Sequence, residues 1–172
     1  RSPAELQVIQ GDGRRRVFFR APGSGGAAIY RSADPLVGQI VEATAPDTSL
    51  AFVWRLPDGR ELRFDPRGRL AVVRDASGRH VQLDYEPSSA RLLAVRNRAG
   101  AALRFSYDAR GRLTGLSHPD GRQTRYRYQE QGLLARVEAV DGRTRQYAYE
   151  AQSLLHGLTR ITDESNATAG DF

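Results

Sequence analysis

The chain has 172 residues, of which 26 are basic and 20 acidic, for a formal net charge of +6, and it contains no cysteine. A disulfide framework and a thiolate metal site are thereby excluded, no apolar run is long enough for a membrane-spanning helix, and no basic-then-apolar amino terminus marks a retained signal peptide. All 26 basic residues are arginine, and with only four isoleucines beside abundant Ala, Gly and Leu this reads as coding bias rather than chemistry. The length suits one or two domains able to bury a core.

Residues 1–50 read as an irregular β lead-in. Leu6 and Val8, then Gly11-Asp12-Gly13, then Val17 and Phe19 predict a hairpin. The run Arg14-Arg15-Arg16-Val17-Phe18-Phe19-Arg20 is the densest basic and aromatic cluster, and a hairpin strand explains it more simply than a binding patch. Gly23-Ser24-Gly25-Gly26 lacks the Gly-Lys-Ser/Thr that a phosphate loop needs and reads as a flexible connection. Asp34-Pro35 and Pro46-Asp47 punctuate a less regular stretch.

Residues 51–163 form a repeat array, entered through Phe52-Val53-Trp54 and Pro57-Asp58-Gly59. Apolar or aromatic pairs two residues apart recur about every 21 residues: Leu62/Phe64, Leu83/Tyr85, Phe105/Tyr107, Tyr126/Tyr128 and Tyr147/Tyr149. After each pair comes a small residue (Gly68, Ala90, Gly111, Gly132, Ser153), then a leucine (Leu70, Leu92, Leu113, Leu134, Leu155), then three positions on another apolar residue (Val73, Val95, Leu116, Val137, Leu158). A second glycine, Gly78, Gly100, Gly121 or Gly142, closes the unit.

One unit is therefore strand, turn, strand, turn, about five times over. Alternation puts Tyr126 and Tyr128 on one face and Arg125 and Arg127 on the other, so the aromatics are assigned to the core face. Asp-x-x-Gly and Asp-Gly supply an aspartate that bonds nearby backbone and a glycine that tolerates positive φ. A leucine-to-apolar step of three breaks the strand period of two, which requires a bulge in the second strand or its early departure from the sheet. Six arginines follow turn glycines directly (Arg60, Arg69, Arg79, Arg112, Arg122, Arg143) and are assigned to solvated edges and faces.

Beyond Asp163 the period fails: Thr168 and Gly170 stand where the next pair would fall, so 164–172 reads as a tail or a truncated next unit. The spacing of Leu154 to Leu158 fits one helical turn but also the register of the repeat, and strand is preferred. His80, His118 and His156 show no ligand or triad spacing and read as turn and surface residues. The serines lack a Gly-x-Ser-x-Gly setting, and Asp65, Asp108, Asp120 and Asp141 offer one carboxylate per turn, too few for calcium. Asn166-Ala167-Thr168 matches a glycosylation acceptor only as a weak pattern. No catalytic, cofactor-binding or metal-ligating residue is assigned, and with the aromatics inside, no nucleic-acid surface is expected.

The units Tyr107-Asp108-Ala109-Arg110-Gly111-Arg112-Leu113 and Pro119-Asp120-Gly121-Arg122-Gln123-Thr124-Arg125-Tyr126-Arg127-Tyr128 closely resemble the YD repeat of Rhs proteins. The resemblance covers roughly residues 54–163, and Trp54 to Leu70 also looks like the region where an Rhs core enters its repeats. The units departing from the pattern carry Glu86, Gln129 and Glu150 in place of the aspartate, and Ala90 and Ser153 in place of the turn glycine. The resemblance implies an all-β fold of consecutive antiparallel hairpins, a curved, spiralling sheet forming an arc of a shell. Its structural core would be Phe64, Tyr85, Tyr107, Tyr128, Tyr149, Leu70, Leu92, Leu113, Leu134 and Leu155, with turns at Gly68, Gly111, Gly121, Gly132 and Gly142.

In that family, and in the related insecticidal toxin complexes and teneurins, YD repeats build a hollow shell; in Rhs proteins it encloses a carboxy-terminal toxin. The resemblance implies for this chain a non-enzymatic structural segment, secreted or at the surface of a bacterium and cytoplasmic before export. Its partners would be the rest of the shell, the enclosed toxin and, for members that travel by type VI secretion, the secretion apparatus. The motif that closes the shell and the aspartyl autocleavage site lie outside the match. The alternative is a module whose exposed Arg and Tyr bind carbohydrate or another acidic surface; a clustered aromatic-and-arginine groove would favour it.

Overall fold

The computed structural model describes residues 3–22, 26–43, 49–150, 157–163 and 168–171, and these hold sixteen β-strands, one short 3-10 turn and no α-helix. The all-β, consecutive-hairpin fold expected above is the fold observed. The strands are β1 (Glu5–Ile9), β2 (Arg15–Arg20), β3 (Ile29–Arg31), β4 (Gln39–Glu42), β5 (Phe52–Arg55), β6 (Glu61–Phe64), β7 (Leu70–Arg74), β8 (His80–Tyr85), β9 (Leu92–Asn97), β10 (Ala102–Tyr107), β11 (Leu113–Ser117), β12 (Gln123–Tyr128), β13 (Leu134–Glu138), β14 (Thr144–Tyr149), β15 (Leu158–Asp163) and β16 (Thr168–Asp171). They divide into two compact units, Arg1–Ala90 with Val95–Gly100 and Arg91–Ala94 with Ala101–Phe172.

In the first unit β1 to β8 pair antiparallel in chain order. One apolar row runs across six of them in register: Tyr30, Ile40, Trp54, Leu62, Val73 and Val81. Phe18, Ala28, Tyr30, Val37, Ile40 and Trp54 form the buried core, with Leu6, Val8, Phe52, Leu56, Leu62 and Phe64 packed around it. Phe18 meets Trp54 edge-on at 5.5 Å between ring centroids, the arrangement that aromatic quadrupoles favour. The indole N–H of Trp54 donates to the Val37 carbonyl at 2.6 Å, so the largest core side chain leaves no polar atom unmet.

That N–H reaches Val37 because the chain turns there. Asp34 caps the 3-10 turn Pro35–Val37 by accepting the Leu36 N–H at 2.9 Å, and Gly38 then takes φ +77. A Cβ on Gly38 would collide with the Arg55 carbonyl oxygen, so only glycine permits this approach.

The β1–β2 hairpin forms as expected but presents a different face. Leu6 lies opposite Phe18, not in line with Val17 and Phe19. Phe18 is fully buried, whereas Phe19 is 55% exposed. Val17-Phe18-Phe19 is apolar at both parities, so alternation alone could not select between them.

In the second unit β10 to β16 also pair antiparallel in chain order. Here the apolar face is only half-buried, at Phe105, Tyr107, Leu113, Leu116, Tyr126, Tyr128 and Val137 alike. The fully buried core therefore lies over the lead-in and the first strands of the array, with Phe64 packed against it, rather than under the repeat aromatics of this unit.

The step of three resolves as a bulge. Phe64 faces Leu70 while Arg63 faces Val72, leaving Ala71 as the extra residue, and the same shift recurs at Tyr107/Leu113 and Tyr128/Leu134. One inserted residue returns Leu70 and Val73 to the same face despite their odd spacing. At the next unit Tyr149 faces Leu158, three residues later than the period places it. Leu155, Ser153 and His156, together with Gly23-Ser24-Gly25 and Pro46-Asp47, lie outside the described residues, as do Asn166 and Ala167. The ladder also passes Asp163, because β16 pairs with β15 and Gly170 stands opposite Ile161.

Candidate functional site

All the tight hairpin turns of the array share one hydrogen-bond pattern. In each, the glycine N–H donates to the residue three before it, while that residue's N–H often donates to the carbonyl just after the glycine, as in Gly68 to Asp65 (2.9 Å) and Asp65 to Arg69 (2.9 Å). This is a type I turn closed by a left-handed residue, which is why Gly68, Gly111, Gly121, Gly132 and Gly142 have φ between +78 and +90.

At Asp65 and Asp108 the turn becomes something more. Asp65 Oδ1 accepts the backbone N–H of Arg67 and of Arg69, both at 2.9 Å, and Oδ2 accepts Arg69 Nε at 2.8 Å. Held there, the Arg69 guanidinium lies 4.7 Å from the ring centre of Tyr85 in the following repeat. The Tyr85 hydroxyl donates back to the Leu70 carbonyl at 2.8 Å. Asp108, Arg112, Tyr128 and Leu113 repeat the arrangement: Nε to Oδ2 at 2.7 Å, guanidinium to ring at 4.6 Å, hydroxyl to carbonyl at 2.8 Å.

Between these two copies the turn is longer and Glu86 replaces the aspartate. Arg91 still lies over Tyr107, at 5.9 Å, and the Tyr107 hydroxyl still donates to the Leu92 carbonyl at 2.8 Å. Two further arginines each join successive turns within their own unit: Arg67 Nη1 donates to the Pro87 carbonyl at 2.8 Å and Arg110 Nη1 to the Glu130 carbonyl at 3.1 Å.

These contacts correct the assignment of the turn arginines to solvent. In the ion pairs of the repeat lock, Arg69/Asp65 side chains are 23%/13% exposed and Arg112/Asp108 27%/23%. The arginines of the alternate turns, Arg60, Arg79, Arg122 and Arg143, pair locally and stay exposed. The spacing that could have shown the difference is long: Arg69 to Tyr85 and Arg112 to Tyr128 each cross into the next repeat, beyond the reach of a turn motif.

Burial, opposing ionisation, acts most strongly on Asp65, but the Arg69 backbone and side-chain bonds outweigh it and hold the carboxyl below the usual range. For Asp108 the Arg112 backbone N–H is the leading cause of a shift in the same direction. Desolvation raises the Tyr85 and Tyr128 phenols above their ordinary value.

Among the other residues singled out in the sequence, Phe64 packs on the lead-in core, and Leu70, Leu113 and Leu134 stand opposite Phe64, Tyr107 and Tyr128. Leu92 contributes its carbonyl to the Tyr107 hydroxyl. Tyr149 stands opposite Leu158, and the residue after Gly132 is Leu133, so the arginine position before Tyr149 is occupied by a leucine. His80 begins β8 and His118 sits at a turn, its N–H donating to the Arg122 carbonyl at 2.8 Å. Among the described residues no three His, Asp or Glu side chains converge as a metal would need.

The RHS Repeat family model matches residues 91–123 and 108–140, overlapping copies of which the second contains the Asp108–Arg112–Tyr128 lock. The likeness to the RHS repeat thus rests on residues 91–140. No curated protein matches it.

Proposed function

We propose that this chain is a structural segment of an encapsulating β-shell, the wall that encloses a toxin cargo in a secreted bacterial effector. The observation that carries this reading is the lock repeated along the array. A repeat array needs each unit to bury its face against the next, and here the guanidinium of one hairpin lies over the tyrosine ring of its neighbour, whose hydroxyl donates back to a carbonyl of the first. Side chains used in this way hold a wall together. They are not arranged around a substrate, and the segment's contribution is passive.

The remainder of the shell and the cargo are the partners this role requires. Export to the cell surface or beyond follows from it, with the secretion apparatus as a transient partner. The test uses the full-length parent protein. Limited proteolysis and single-particle imaging should show a hollow particle whose interior segment resists protease until the wall is opened. A parent with no enclosed cavity, and a cargo cut as fast as the wall, would overturn the proposal.

A further inference from the structure

The polar face of the second unit carries a concentration of charge that the repeat lock does not use. Register fixes its members. Arg104 aligns with Ser117 and Gln123; Ser106 with Gly115, Arg125, Glu138 and Thr144; Arg127 with Arg136 and Gln146. Over β10 to β14 this face thus presents four arginines and a single carboxylate, and the rest of it is small or neutral.

Arg127 and Arg136 are directly opposite each other, where like charges oppose pairing. Glu138 relieves them in part: its carboxylate lies 3.5 Å from Arg127 Nε, 3.4 Å from Arg136 Nε and 4.0 Å from Arg125 Nη1. One carboxylate shared by three guanidiniums leaves positive charge in excess and also orients the forks toward a common point. Gly121, Gly142 and Thr144 are small residues beside them. The result is a hollow of about 620 Å³ bordered by Gln123, Arg125, Arg136, Glu138 and Thr144. Arg125 and Arg127 remain 61% and 65% exposed at the side chain.

We infer that this arginine face docks an acidic polypeptide segment, with its carboxylates taking bidentate bonds from Arg125, Arg127 and Arg136. The planar guanidinium fork matches a carboxylate in geometry as well as charge. A nucleic acid or a neutral glycan would want aromatic platforms, and the tyrosines of these strands lie on the opposite face. The inference is independent of the shell reading, because an acidic segment could approach this face in an open module as well as in a wall.

The experiment titrates the whole chain with a fluorescently labelled poly-glutamate peptide at low salt, beside a sulfated oligosaccharide and a single-stranded oligonucleotide of equal charge. The peptide should bind, and more tightly than the other two. Replacing Arg125 and Arg127 together by serine should weaken it by about tenfold, equivalent to about 1.4 kcal/mol. Replacing Arg14 and Arg60 by serine removes the same charge elsewhere and should change binding less than about twofold. Glu138→Gln should tighten binding several-fold by freeing the guanidiniums, provided its circular dichroism and melting remain native.

Equal losses in the two double variants would show a general effect of net charge and overturn the inference. So would preference for the oligosaccharide or oligonucleotide, or no binding of the peptide to the wild-type chain.

Discussion

The lead-in and the repeat array are built from the same hairpins but stabilised differently. Around the lead-in, Phe18, Tyr30 and Ile40, joined by Trp54 from the entry strand of the array, are excluded from water and pack into one core. In the second unit the corresponding apolar side chains are half-covered, and directional contacts between successive hairpins supplement the hydrophobic effect. Burial stabilises in proportion to the apolar area removed from water, so a half-covered face needs such contacts. The contrast explains why the array is periodic and the lead-in is not: a lock must find its partner at a fixed distance along the chain, whereas a closed core only has to be filled.

Damage to the core that Trp54 completes over the lead-in should produce the largest effects. Trp54→Ala removes a core ring and abandons the Val37 carbonyl, and should cost about 3–5 kcal/mol in denaturant melts. Tyr128→Ala, at a half-buried position, should cost about 2 kcal/mol. Equal losses would erase the distinction between the two regions.

Acid should weaken the array selectively. The carboxyls of Asp65 and Asp108 are held below their ordinary value of 3.8, so their stabilisation is complete above that pH and is lost as pH falls through the lowered folded-state value. Melting followed from neutral pH downward should be flat until about pH 4 and then fall. Asp65→Asn should be less stable at neutral pH and show a shallower acid decline.

Much of this contrast was written in local signals. The pairs Tyr126/Tyr128 and Phe105/Tyr107, with glycine at each turn, specify strands and hairpins because strand alternation and turn chemistry act over a few residues. The step from Leu70 to Val73 required either a bulge or an early departure from the sheet, and the bulge is what forms. What could not be read depends on contacts distant in sequence. Arg69 reaches Tyr85 and Trp54 reaches Val37 only after the sheet has formed, and the choice of Phe18 over Phe19 is made by Leu6 across the ladder. At Tyr149 the sequence offered Leu155 at the right spacing, yet Leu158 takes the opposite position after a longer connection.

Smaller changes probe the lock itself. Tyr128→Phe removes only the hydroxyl bond to the Leu113 carbonyl and should cost about 1 kcal/mol. Where the array lacks a lock, one can be added: Gln129→Asp with Leu133→Arg places the missing pair before Tyr149 and should raise stability by about 0.5 kcal/mol, read as a small increase in melting temperature.

The coupling of a cation in one hairpin to the ring of the next is tested most directly by a double-mutant cycle on Arg112 and Tyr128. Arg112→Met keeps the packed stem without the charge, and Tyr128→Leu keeps an apolar side chain without the ring. Denaturant unfolding of the four proteins should give a coupling energy of about 0.5–1 kcal/mol. Additive losses, with coupling indistinguishable from zero, would contradict the lock as the source of the array's stability.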